Sequence, residues 1–402
     1  MLQTIVGLFI LLFISLLGYR KTFVRVPLPA GAKFFFLTGT EFIFIGLALG
    51  DQFIGVLDRT TIGHLGPLFS LGLGYFGLVF GLQFEIGKIR RFPRAFVSAT
   101  AIQAAVTFVW VFAPFLWLLY QIDPAASTVG SALAIGAVAC CTSPTMIALI
   151  VKESACRPTG AVDLIRYIGG FDTIIGFTLF GAAVCMMHHA PPPLGIDYLP
   201  VLQWIGASIV VGIGMGVLLH LLTQVHCAED ELWVFIIGII TFAGGVSLFF
   251  GLSPLFVNMV AGITAANLPG SKDRVFVALA RQEKPFYIVF LILAGAVWRP
   301  GTLLGLVLAF AYLVFRIVGK VLGGYVAVRA IAGEFSVSPW VGFGLLSQGG
   351  VAIAMAMDFY LSGGSPLIDV IVAMLVLAVI VNELISPELT QRLLTGAGKG
   401  VA

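Results

Sequence analysis

The segment GAVDLIRYIGGFDTIIGFTLFGAAVCM, from Gly160 to Met186, decides how this chain is read. It is apolar and long enough to cross a hydrocarbon core of about 30 Å as one helix. Near its middle, in Gly169-Gly170-Phe171-Asp172-Thr173, it carries a carboxylate. A charged side chain at the centre of a bilayer costs about 2.5 to 3.5 kcal/mol even on lenient insertion scales. An acid at that depth pairs with a base or lines a polar path. Asp172 is therefore half of a buried structural ion pair, or a cation or proton site. Asp163 and Arg166 stand three residues apart and can pair on one face. Asp172 has no basic residue one turn away, so its partner must come from another helix.

The surrounding chain is of the same kind. Of 402 residues, 59% are hydrophobic and 10% charged, with a mean hydropathy of +1.08. Soluble domains carry about 25% charged residues, and only a helix or a closed barrel satisfies its own backbone in lipid. The expectation is an all-α polytopic membrane protein. About thirteen spans can be marked: 3–19, 34–50, 65–83, 95–120, 128–150, 160–186, 199–224, 232–248, 252–267, 285–298, 302–328, 338–360 and 366–387. No basic n-region precedes the first and no A-x-A site follows it, so it reads as a retained span and not a signal peptide.

Charge sets the orientation. Seventeen of the 22 Lys and Arg fall on one side of that topology, among them Lys21, Arg25, Lys33, Lys88, Lys152, Lys284 and Lys399. Only Arg59 and Arg299 lie on the other, and Arg166, Arg316 and Lys320 are inside spans. The positive-inside rule puts the N-terminus outside and the C-terminus in the cytoplasm. Glu41, inside the second span, either reaches the interface or a neighbouring helix, or belongs to a pathway. The cysteines (Cys140, Cys141, Cys156, Cys185, Cys227) lack metal-like or paired spacing. The loop from His188 to Pro193 has no partner for its two histidines, so no metal cofactor is expected.

Two spans are interrupted. Cys141-Thr142-Ser143-Pro144-Thr145 places a proline in the fifth, which removes a helical hydrogen bond and leaves carbonyls for hydroxyls or an ion. Ser347-Gln348-Gly349-Gly350 weakens the twelfth at mid-depth. Each is the middle span of a three-span group, 95–186 and 302–387, and the two run in opposite directions. Interrupted helices in matching places of inverted halves point to a midplane site of a secondary transporter. In the eleventh span, Arg316 and Lys320 share a face one turn apart and need an anion, for which Asp172 is the unpaired candidate.

These residues carry a resemblance. Thr142-Ser143-Pro144 with Glu153 and Arg157-Pro158, Phe171-Asp172-Thr173-Ile174-Ile175-Gly176, Gly251-Leu252-Ser253-Pro254, Glu283-Lys284-Pro285 and Gly319-Lys320-Val321-Leu322-Gly323-Gly324 occur in the order and spacing of one family. Over nearly its whole length the chain resembles the monovalent cation/proton antiporter superfamily, in its bacterial thirteen-span sodium/proton branch. The resemblance implies a core bundle with crossed broken helices (95–186 and 302–391), scaffold and dimerisation helices (1–92 and 232–298) and a linker helix (199–224). It also implies a homodimer in the plasma membrane, an elevator-like cycle, and an acidic pair on the sixth span with a lysine on the eleventh. Lys320 matches that lysine and Asp172 the first acid. Thr173 stands where the family has its second acid, and Gly350 lies about where it has an acid near the twelfth-span break.

The expected function is secondary active exchange of Na⁺, Li⁺ or K⁺ for protons. Asp172 and Thr173 would bind the cation with Thr142, Ser143 and carbonyls freed at the breaks, a set of oxygens suited to a hard ion. Lys320 and Arg316 would act as counter-charges. The absent second acid motivates the competing readings: a channel-like cation pathway, a carrier of another solute, or a transport-inactive subunit. No nucleophile–base pair or metal cluster suggests an enzyme, and nothing suggests nucleic acid as a partner.

Overall fold

In the computed structural model, regular structure among the described residues is helical; these are residues 2–20, 30–124, 127–153, 160–187, 201–224, 229–269, 272–331, 337–363, 365 and 367–396. Lys21, Arg25, Cys156, Arg157, Pro158, the segment from His188 to Pro193, Cys227 and Lys399 lie outside them.

The chain opens with α1 (Leu2–Arg20), α2 (Ala30–Thr38), α3 (Phe42–Leu49), α4 (Arg59–His64), α5 (Gly66–Leu82) and the single turn α6 (Ile86–Ile89). The first three-span group is α7 (Arg94–Ile122), α8 (Ser127–Cys140), α9 (Pro144–Glu153) and α10 (Gly160–Met186). Next come α11 (Val201–Gln224), α12 (Glu229–Phe250), α13 (Pro254–Asn267), α14 (Lys272–Arg281) and α15 (Glu283–Val297). The second group is α16 (Leu303–Ala330), a 3₁₀ turn at Val341–Leu345, α17 (Gly349–Ser362) and α18 (Ile368–Gly396).

The expected architecture is present, with one addition. Both expected interruptions occur, at 141–143 and 346–348. The span at 34–50, read as continuous, is a third broken crossing, because a turn at residues 39–41 separates α2 from α3. Thr38 ends α2 by turning its hydroxyl back to the Phe34 and Phe35 carbonyls, 3.0 and 3.1 Å away, within 2.9 Å of Thr40 Oγ1. Such back-bonding offers the backbone an alternative to helix. Among the described residues, seven helical stretches are long and apolar enough to cross a membrane, one of them the interrupted α8–α9, and several shorter helices are also apolar. Asp163 and Arg166 are both exposed, and the structure forms no ion pair between them. The short basic segment between the expected spans 252–267 and 285–298 folds as α14 and buries Val275 and Leu279.

The local chemistry explains the helix starts. Pro144 begins α9, where its missing N–H is needed by no carbonyl, and Ser143 caps it by accepting from Met146 N at 3.3 Å. Ser253 and Pro254 repeat the device at α13, with Phe256 N donating to Ser253 Oγ at 3.0 Å. In packing, α7 lies along α16, α8 is held between α7 and α10, and α18 contacts α16, α17 and the 3₁₀ turn. The other large layer packs α5 against α13, α11 against α13, and α3 against α15.

The approach of α10 to α8 places the carboxylate. At Gly176 an added Cβ would lie 2.3 Å from Cys141 Sγ and 2.9 Å from the Ala137 carbonyl oxygen, so only glycine lets the helices meet. Gly176→Ala is expected to destabilise the protein by about 1–3 kcal/mol through overpacking. A lowered melting temperature in detergent, monitored by intrinsic fluorescence, checks this; an unchanged one contradicts the close approach.

Candidate functional site

The site is built where the two broken helices cross. Ser143 N donates to the Ser347 carbonyl at 2.9 Å, so the extended break of one helix is hydrogen-bonded to that of the other. A helix that stops inside the membrane leaves its last carbonyls without intrahelical donors. Here α16 supplies them. Arg316, fully buried, donates from Nη2 to the Cys141 carbonyl at 3.0 Å and from Nη1 to the Leu346 carbonyl at 2.6 Å, one in each break. One turn later Lys320, also fully buried, donates to the Cys140 carbonyl at 2.5 Å.

Lys320 Nζ has two further acceptors, Thr142 Oγ1 and Asp172 Oδ2, both at 2.8 Å. Asp172 is buried and fully partnered. Its Oδ2 also accepts from Thr142 Oγ1 at 2.5 Å, and its Oδ1 accepts from Thr142 N at 3.2 Å. Thr173 Oγ1 lies 3.3 Å from Asp172 Oδ1, 3.0 Å from the Thr142 carbonyl oxygen and 3.3 Å from that of Gly169. Its hydroxyl thus ties α10 to the break through Thr142.

Of the residues picked out in the sequence, the structure brings Thr173, Thr142 and Lys320 into hydrogen-bonding distance of Asp172. Arg316 sits beside them, but its hydrogen bonds go to carbonyls and not to a carboxylate. Ser143 belongs to the crossing without touching Asp172: its hydroxyl caps α9 and its side chain lines a neighbouring cavity. Pro144 starts α9, as above. In the other break, Gln348 donates to Tyr312 Oη at 2.7 Å and the Val138 carbonyl at 3.2 Å, and accepts from Asn382 Nδ2 at 2.8 Å. Ser347 is buried with its hydroxyl unpartnered. Gly349 has φ +56°, a conformation that favours glycine, and Gly350 faces the Tyr287 ring, where a Cβ would come within 2.0 Å.

The cavity holds about 530 Å³ and runs along α9, from Ser143 and Gly349 at one end to Lys152, Glu283 and Lys284 at the other. Phe76 and Phe80 of α5 form the opposite wall with Tyr287 of α15. The basic residues at its mouth are on the side that charge asymmetry assigns to the cytoplasm.

Residues 9–395 match the sequence model of the family described as sodium/hydrogen exchanger, transmembrane. The chain belongs to that family. This exchanger is 21% identical over 318 residues to the ammonium/H⁺ antiporter subunit AmhT of Alkalihalophilus pseudofirmus, covering 78% of each chain. Its fold is that of the sodium proton antiporter MjNhaP1 from Methanocaldococcus jannaschii. The structure of that protein at pH 8 aligns with a TM-score of 0.67 at 13% identity, over 98% of this chain and 99% of the other. A second structure of the same antiporter, from an electron-microscopy map, gives 0.59 at 14% identity over 90% and 91%.

Two buried acids of this exchanger were not singled out in the sequence. Asp358 of α17 accepts from Ser253 Oγ at 2.5 Å, and Glu383 of α18 accepts from Gly349 N at 2.8 Å. Both interrupt apolar runs just as Asp172 does, so the signal was available: a lone acid within a span. Removing one member of a buried ion pair strands the other and costs about 3–5 kcal/mol. Lys320→Met is expected to destabilise by that order, and adding Asp172→Asn to recover most of the loss. Thermal melts of the two single variants and the double variant check this; additive losses contradict the pairing.

Proposed function

We propose that this cation/proton exchanger binds its cation in the position that Lys320 Nζ occupies in the structure. One observation carries this reading: the ammonium is surrounded by three oxygens, those of Cys140 C=O, Thr142 Oγ1 and Asp172 Oδ2. When Lys320 withdraws, those oxygens remain as a hard donor set suited to Na⁺, Li⁺ or K⁺. Lysine, proton and metal cation then compete for one carboxylate, and that competition is the exchange reaction. Thr173 holds the Thr142 carbonyl, and Arg316 keeps both breaks closed while the occupant changes. Ser143 and Gly349 receive the ion from the cavity. The relative from A. pseudofirmus is named for ammonium, so NH₄⁺ belongs among the cations tried.

Movement follows from the division of the fold. In our reading 95–186 and 302–391 form a mobile core, 1–92 and 232–298 a scaffold that pairs with a second copy in the plasma membrane, and 199–224 a linker. The position of the cavity between α5 and α15 on one side and α9 and α17 on the other supports this. The Ser253–Asp358 hydrogen bond bridges that division, and an elevator-like cycle must break it.

In vesicles containing a pH-sensitive dye, adding Na⁺, Li⁺, K⁺ or NH₄⁺ is expected to move protons through the wild type. Asp172→Asn is expected to abolish the movement; undiminished movement in that variant would sink the site. Electrical cation flux without proton movement would favour a channel. In a background without its native cysteines, Ser253→Cys with Asp358→Cys and a short thiol crosslinker is expected to stop exchange until the link is reduced. Exchange that continues in the fully crosslinked protein contradicts the sliding core.

A further inference from the structure

Glu383 is the carboxylate that the Asp172 site does not use. It stands on α18, the third span of the second group, as Asp172 stands on α10, the third span of the first. The correspondence extends to their contacts. Asp172 accepts from the backbone N–H of Thr142, two residues before α9; Glu383 accepts from that of Gly349, the first residue of α17. Each acid meets the break of its own half, and the two are joined through Ser143 N and the Ser347 carbonyl.

They differ in what neutralises them. Asp172 has Lys320. Glu383 is fully buried, its Oε1 is bound by Gly349 N, and its Oε2 has no hydrogen-bond partner. No cation is bonded to it among the described residues. Arg316, the guanidinium at the crossing, makes no ion pair with it and is committed to the Cys141 and Leu346 carbonyls. Tyr287 of α15 lies against Gly350, next to the glycine that binds Glu383, and brings no base. Lys152, Glu153 and Lys33 belong to the far end of α9, where Lys33 pairs with Glu153. A bare carboxylate in such surroundings is too costly to keep, so it holds a proton or a cation. Two more buried hydroxyls lack partners nearby in the chain: Ser386, one turn along α18, and Ser347 in the break. Access is short. An added Cβ at Gly349, which lines the cavity, would be 3.6 Å from Glu383 Oε1, so no side chain of that residue separates the two.

We propose that Glu383 is a second ion-carrying carboxylate of this exchanger, holding a proton that a monovalent cation displaces during the cycle. The inference rests on the exchange reading above. Arrival of the cation breaks the O–H bond at Oε2, and the proton leaves through the cytoplasmic cavity. At this carboxylate, one positive charge replaces another.

The test is proton release from purified, folded protein when Na⁺, K⁺ or NH₄⁺ is added in weakly buffered solution, together with vesicle transport. Glu383→Gln keeps the acceptor for Gly349 N and removes the titrating group. It is expected to remove the proton released at Glu383, at least halving the protons released per molecule because the Asp172 site contributes at most the one that Lys320 sheds, and to alter the pH profile of transport. Glu383→Asp is expected to restore part of the release. Unchanged release and profile in Glu383→Gln, or a lower melting temperature as its sole effect, would make Glu383 a structural cap and overturn the proposal. If Glu383→Gln does not fold, Ser386→Ala decides: a severalfold weaker apparent cation affinity supports the site, and an unchanged one overturns it. Wild type that is folded but silent in both assays removes the exchange reading itself, whereas wild type that exchanges beside an unaltered Glu383→Gln removes only this inference.

Discussion

Two helices can end in the middle of this membrane protein because α16 brings two buried cations to their loose ends. Backbone carbonyls without donors are not tolerated in hydrocarbon. Arg316 takes one carbonyl from each break and Lys320 takes a third. The guanidinium suits the first task, since its planar fork presents fixed donors and stays charged. The ammonium suits the second, because it is a compact point charge whose place a small cation can take. In the proposed exchange, the structural and the exchangeable charge thus sit one turn apart on one helix.

Most of the fold was legible because the bilayer imposes so few solutions. Length and hydropathy fix helices, and a proline or glycine pair in a span marks a break. What was not legible depended on contacts between helices. The break at 39–41 arises from threonine hydroxyls turning back on their own helix, a choice that Thr38 makes only in this setting. Ser143 has the right chemistry for an ion ligand, yet its hydroxyl serves α9 as a cap. The carbonyls in and beside the breaks, expected to be free for an ion, are held by Arg316, Lys320 and Thr173. Glu383 was passed over because its sequence neighbours do not show that it faces Gly349.

The partnership of Asp172 with Lys320 also explains how such a site can be strong without being rigidly closed. A buried pair is stabilised by its own attraction but penalised by desolvation, and the two nearly cancel. Replacing one cation by another at the same oxygens therefore changes the total little, although a carboxylate left bare would change it a great deal. Across the membrane each net charge moved is worth about 2.3 kcal/mol per 100 mV. Whether the departing group is an ammonium or a proton decides how far the potential drives the cycle.

Thr173 gives this arrangement its particular form. The resemblance places a second acid there, but the surroundings of Thr173 are acceptors: the Thr142 and Gly169 carbonyls and Asp172 itself. A carboxylate at that position would face three oxygens and could be accommodated only with a proton or cation between them. The hydroxyl instead donates, fastening α10 to the break at no electrostatic penalty. The second acid at the crossing stands on the opposite wall, as Glu383 beneath Gly349, where a backbone N–H at the start of α17 faces it. Helix N-termini favour negative charge, so one acid per break satisfies each half-helix separately.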